Sequence, residues 1–355
     1  MTDNREIYES LVNRFNKEAR THIRLSESVK NVILPKVDIE GQTIRFNDRL
    51  ETMMMLFILF MANKRVGAHA IHHFLLYHLA IRRNMYGKAE ELLSMLDKEV
   101  EKLAKAFKGN EAYNFLVVLQ VSIALGHEMS HVYYALHHDL RENHIEAMRQ
   151  RLISYREQLN TDKPLVIKLL HLISRKMKRF QERSFDEAIG NENLLEELCC
   201  DEAAWEMVKK LIESFDFDSD SMALACAHVG LSLAFMEVKR SLENIYINPG
   251  QEIRERDLRF DSSRHLMQNY IVWDYMDEVS KETSRQFQSL INDFERKGHT
   301  VLMLTLREEV EHIGYIRLMD PEKYSFQETK RVNAIYEGID ARIRKSVVGL
   351  SFQME

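Results

Sequence analysis

Apolar residues recur along most of the chain at the three- and four-residue spacing of helices, and few breakers interrupt them. The four prolines, Pro35, Pro164, Pro249 and Pro321, all stand at apparent boundaries. Pro164 and Pro321 follow Thr161-Asp162 and Asp320, a sequence that suits the first turn of a helix. The spacing predicts helices at about 48–64, 66–83, 86–107, 111–139, 142–159, 164–181, 190–213, 219–245, 262–296, 301–318 and 326–347. One stretch keeps a different period: 31–47, NVILPKVDIEGQTIRFN, alternates apolar and polar positions around Glu40-Gly41 and reads as a β-hairpin. Loops are expected at 183–190, at the acidic 215–221, at 246–259 and at 297–300. The expected fold is mainly α with a small β element. A main domain spans 1–296 and a helical C-terminal extension spans 297–355.

The most apolar run is 53–62, and after Asn63, Lys64 and Arg65 the chain turns apolar again over 66–81. The first is too short to span a bilayer, and the second carries His69, His72, His73 and His78, which are costly in lipid. Both read as buried core helices, and no membrane association is expected. The polar, amphipathic N-terminal segment MTDNREIYESLVNRF does not read as a secretory signal. A length of 355 residues, 45% hydrophobic and 29% charged, suits a soluble protein with a sizeable core. A net charge of −6 gives no support to nucleic-acid binding. Three cysteines, Cys199, Cys200 and Cys226, cannot make a disulfide framework, so a reducing, cytoplasmic compartment is expected.

The chemistry starts at the end of a long apolar run. The segment 115–126 is apolar almost all round, interrupted by Gln120 and Ser122, and it leads into His127-Glu128-Met129-Ser130-His131. Histidines four apart stand on one face of a helix, one turn above the other, and two imidazoles so placed reach a single zinc at about 2.0–2.1 Å. Glu128, between them in sequence, is placed to take a proton from a metal-activated water. The plain alternative is a pair of hydrogen-bonded core histidines with a salt-bridged glutamate.

A catalytic zinc usually takes a third protein ligand. His137 falls at the spacing of the H-E-x-x-H-x-x-G-x-x-H pattern, but Tyr134 replaces the glycine that lets the chain turn back. The helix is therefore expected to run on and carry His137 out of reach. A second source is NENLLEELCCDEAAWEMV at 191–208, where Glu197 and Asp201 share a face with Leu194, Ala204 and Val208. Two carboxylates in an apolar stripe need a partner. Glu197 as ligand and Asp201 as acceptor for the free N–H of a ligating histidine supply one. Glu196 and Glu202 are the fallback ligands.

With HEMSH on one helix and ELCCD on a later one, the sequence resembles the gluzincin class of zinc metallopeptidases, H-E-x-x-H followed by E-x-x-x-D. The long gap between the motifs, and a short hairpin followed by helices upstream, look more like the HtpX-type and phage-exclusion (Lit-type) bacterial peptidases than like thermolysin. The likeness covers roughly 30–275 in order of elements and is specific at the two motifs. It implies a zincin-like helical core, a Zn²⁺ cofactor, and a bacterial intracellular protease acting on a specific protein or peptide substrate, with phage defence as a setting. In several such families a later histidine or arginine contacts the substrate carbonyl. His265 in DSSRHLMQNY holds a similar place, although Leu266 stands where proline often follows. No G-x-M-E-N segment is present, which favours endopeptidase over aminopeptidase action.

His69, His72 and His73 read as hydrogen-bonded core or rim residues before they read as a second metal site. Cys199 and Cys200 border the proposed ligand turn and could make the site oxidation-sensitive, but they read first as small apolar packing groups. Met53, Met54 and Met55 read as core filler. The competing function is a non-catalytic helical interaction or regulatory module, with structural zinc or none. Oligomeric state is not legible.

Overall fold

Every residue in 50–60 is buried, and from Met53 to Phe60 the stretch is apolar on all sides, the pattern of a core helix. In the computed structural model it forms most of one helix, against which several of the others pack. The structure describes residues 4–27, 34–107, 111–161, 175–213, 218–230, 280–293, 320–323 and 325–348, together with Val272, Tyr275 and Ile316.

In chain order the described elements are α1 (Asn4–Ala19), β1 (Arg24–Glu27), β2 (Lys36–Asp38), β3 (Thr43–Phe46), α2 (Arg49–Ala62), α3 (Lys64–Arg82), α4 (Tyr86–Ala106), α5 (Glu111–Leu136), α6 (His138–Thr161), α7 (Arg175–Gly190), α8 (Glu192–Glu213), α9 (219–230), α10 (Lys281–Asp293) and α11 (Phe326–Val348). The mainly helical class with a small sheet is what the sequence predicts.

The expected hairpin is present as β2 and β3, antiparallel with Val37 opposite Ile44, and its turn lies at 39–42. Asp38 Oδ1 accepts from the Gly41 N–H at 3.1 Å, and Gln42 takes a positive φ of 43°. The sequence did not announce β1, which joins parallel to β3 and makes β3 the central strand. Ile44 and Phe46 bury one face of β3, while Arg45 points to solvent. The sheet lies beside α1 and α5.

Helices α2 and α3 meet at Asn63, whose extended backbone ends one helix and whose Oδ1 caps the next by accepting from Val66 N. They cross so closely that a Cβ on Gly67 would stand 2.3 Å from Phe60 Cα, which makes glycine the residue that fits there. Asn84, at φ 57°, ends α3 in the left-handed conformation that asparagine tolerates. Helix α4 then packs back along α3 and buries Ala89, Leu92, Leu93, Leu96, Val100 and Leu103.

The boundary expected at 297–300 lies outside the described residues. Beyond it, α11 packs on α4, α2 and α5. The buried carboxylate of Glu51 accepts from Tyr8 at 2.7 Å, Asn4 at 3.1 Å and Arg344 at 2.8 Å, joining α1, α2 and α11. Thr52 hydrogen-bonds Asp340 and Tyr336 from the same side of α2.

Two sequence expectations are corrected. The stretch 183–190 belongs to α7, because Phe185 and Ala188 sit on one face and are buried with Ser184. The helix predicted over 111–139 breaks at His137, and α6 starts at His138 rather than 142. The expected loop at 246–259 and the expected helix at 301–318, apart from Ile316, lie outside the described residues. Among the described residues, one helix, Tyr113–Leu136, has the length and apolar content to cross a membrane, and 83% of its apolar window is buried inside the protein.

Candidate metal centre

The site lies where α5 and α8 run against each other at the closest approach their side chains allow. Gly126 and Ala204 face each other there. A Cβ on Gly126 would come within 3.1 Å of Ala204 Cα and 2.7 Å of Met207 Cε. The glycine immediately before HEMSH thus lets the helix carrying two histidines approach the helix carrying the carboxylates.

His127 and His131 stand one turn apart on α5, their rings nearly perpendicular, with Nε2 atoms 3.1 Å from each other. Glu197 on α8 faces both: Oε2 is 3.5 Å from His127 Nε2 and Oε1 is 3.6 Å from His131 Nε2. One donor atom from each residue lies within 4.8 Å of the others, a cluster able to hold a metal ion. Four ligands at about 2.1 Å around a tetrahedral ion are separated by about 3.4 Å. The two Nε2 atoms, 3.1 Å apart, and the two Glu197 oxygens, 3.5 and 3.6 Å from one imidazole each, lie at separations of that order.

The outer nitrogens of the imidazoles have different neighbours. His127 Nδ1 is 2.8 Å from Asp201 Oδ1, and both side chains are nearly out of solvent, at 6% and 2% exposure. This contact commits Nδ1–H of His127 to the carboxylate and leaves Nε2 as the lone-pair nitrogen turned to the cluster. His131 Nδ1 lies 3.5 Å from Cys200 Sγ and 3.8 Å from Glu196 Oε1. Burial, with the nearby Asp201 and Glu197 carboxylates, holds the Cys200 thiol well above its ordinary pKa, and burial pushes Cys199 up to about 12. Both are buried, protonated thiols, which fits their reading as packing groups.

The other residues singled out by the sequence fall into place around this cluster. Glu128 is partly buried on α5, one residue on from His127. The fallback ligands are engaged elsewhere: Glu196 with Arg141 and Glu202 with Arg151. His137 occupies the break between α5 and α6, its ring 4.7 Å from that of Tyr133, and is not part of the cluster. Tyr134, in place of the turning glycine, is buried, and its hydroxyl bonds His144 Nδ1 on α6 at 2.9 Å. His73 bonds Glu99 at 2.8 Å, as a partnered core histidine does. His265 lies outside the described residues.

Two contributors escaped the sequence reading. Gly126 carried a signal, an isolated glycine in a helix apolar all round, which marks close approach. Arg141 carried a fainter one: Glu192 and Glu196, four apart on one helix, call for a cation.

No family model, no curated protein and no solved structure matches the chain. The likeness to gluzincins therefore stands on HEMSH and ELCCD.

Proposed function

We propose that the chain is a zinc-dependent endopeptidase that hydrolyses peptide bonds in a specific cytoplasmic protein. The observation that carries this reading is the convergence of His127, His131 and Glu197 on one point, with Glu128 on the same turn of α5. Two imidazoles and one carboxylate, arriving from two helices, are the donor set of a catalytic zinc site with its fourth position open.

The chemistry zinc supplies when bound is Lewis-acid polarisation of a carbonyl and acidification of a water at neutral pH. The chain's own groups do the rest. His127, His131 and Glu197 would hold the ion, and Asp201 would fix the tautomer and direction of His127. Glu128 takes the proton of the attacking water and delivers it to the leaving amine. His265 stays with the proposal as the group that would steady the oxyanion. A bacterial origin, a zincin-like core and a role in phage defence rest on the resemblance alone, which does not define a substrate.

A second reading has one observation in its favour. A 3.1 Å separation also suits a hydrogen bond between the two imidazoles in a metal-free, non-catalytic bundle. Against it stands the carboxylate of Glu197, which sets one oxygen 3.5 Å from His127 Nε2 and the other 3.6 Å from His131 Nε2, a third donor that a hydrogen-bonded imidazole pair does not need.

The test is Glu128→Gln, compared with the parent on a peptide library read by mass spectrometry, with zinc content measured on the same samples. The expected result is chelator-sensitive cleavage by the parent, and full zinc content with no cleavage in Glu128→Gln. Equal cleavage by the two proteins would remove Glu128 from the mechanism.

A further inference from the structure

The two candidate histidine ligands are held unequally. His127 has a buried carboxylate at 2.8 Å behind it, whereas His131 has a thiol sulfur at 3.5 Å and a carboxylate oxygen at 3.8 Å. The sulfur is within hydrogen-bond reach of His131 Nδ1, and the carboxylate standing beside the same nitrogen, at an electrostatic rather than a hydrogen-bond distance, is that of Glu196. Its carboxylate is itself gripped. Glu196 Oε2 accepts from Arg141 Nη2 at 2.6 Å and Nε at 3.1 Å, and the same guanidinium donates to Glu192 Oε1 at 3.3 Å.

Arg141 comes from the first turn of α6, directly after the break at His137, and its N–H bonds the His137 carbonyl. One side chain thus spans two turns of α8. It also supplies the positive charge that α8 needs there, because Glu192, Glu196, Glu197 and Asp201 crowd four carboxylates into ten residues. Without that cation, Glu196 has every electrostatic reason to turn to solvent, away from its acidic neighbours and from His131.

We infer that Arg141 is a positioning residue of the metal centre, acting through Glu196 on His131 and tying the placement of α6 to the grip on the ion. The inference rests on the metal-centre reading above. It differs from a plain clamp between α6 and α8, which would change the stability of the fold and leave metal affinity untouched.

The test measures zinc affinity by competition with a chromophoric chelator, on the full chain, with helical content of the metal-free protein followed by circular dichroism. Arg141→Met and Glu196→Ala should each weaken zinc binding by roughly tenfold to a hundredfold, the range for loss of a group that orients a ligand. The double variant should bind within about twofold of Arg141→Met, because the arginine works through the glutamate. Arg141→Lys, which keeps the charge without the planar fork, should recover part of the loss. A folded Arg141→Met with parental affinity overturns the inference. Should Arg141→Met lose its helical content, parental affinity in Glu196→Ala overturns it instead. A parent chain that takes up no zinc sinks the metal-centre reading and this inference together, whereas a zinc-binding parent with indifferent variants sinks this one alone.

Discussion

Asp201 Oδ1 lies 2.8 Å from His127 Nδ1, and neither side chain has appreciable contact with water. A carboxyl group that deep in the protein is expensive unless paired, and the imidazole of His127 is its partner. The pairing also aims His127 Nε2 at His131 and Glu197. Asp201→Ala should therefore lower zinc affinity by about tenfold to a hundredfold. Asp201→Asn, whose amide oxygen can still accept from Nδ1–H, should lose less. Chelator competition on the two variants checks the order, and an Asp201→Ala protein with parental affinity would contradict it.

The close approach at Gly126 sets a second expectation. Gly126→Ala gains helix propensity of about 1 kcal/mol and meets Met207 Cε, a flexible end that can swing aside, but it also presses on the Ala204 backbone. The two effects offset, so thermal stability should change little. Gly126→Val adds branches with nowhere to go and should destabilise by about 1–3 kcal/mol while parting α5 from α8. Denaturant unfolding of the two variants checks this, and zinc affinity should fall in step for valine.

His228 gives the pH dependence. It is buried on α9 beside Gln120, whose side-chain N–H reaches its Nδ1 at 3.2 Å, and burial lowers its pKa from 6.5 to about 4. Between these values the unfolded chain binds a proton that the folded one refuses, so stability falls as pH drops from 6.5 towards 4 and is fully present above 6.5. The shift corresponds to on the order of 3 kcal/mol. Unfolding midpoints measured across this window should fall less steeply for His228→Gln than for the parent. Parallel curves would remove His228 as the cause.

What could be read from the sequence follows physical range. The stripes of α2, α3, α4 and α8 are local patterns, and their helices stand within a few residues of expectation. HEMSH and the Glu197–Asp201 pair were legible because one helix fixes each spacing, and the structure brings the two faces together. The break at His137 was hidden, since no glycine or proline marks it; it places Tyr134 against His144 and Arg141 over Glu196, contacts between elements. Helix α7 was misread because Arg183, Ser184 and Asp186 look like a loop until Phe185 and Ala188 are seen to be buried. Strand β1 depends on a parallel partner about twenty residues away, which alternation in four residues cannot announce.

The most direct measurement is the zinc content of the purified full chain, set beside that of a His127→Ala, His131→Ala double variant with the same helical content. The proposal predicts about one zinc per parent chain, as a single three-ligand site requires, and almost none in the double variant. A folded parent without zinc, or a double variant that keeps it, would contradict the account at its root.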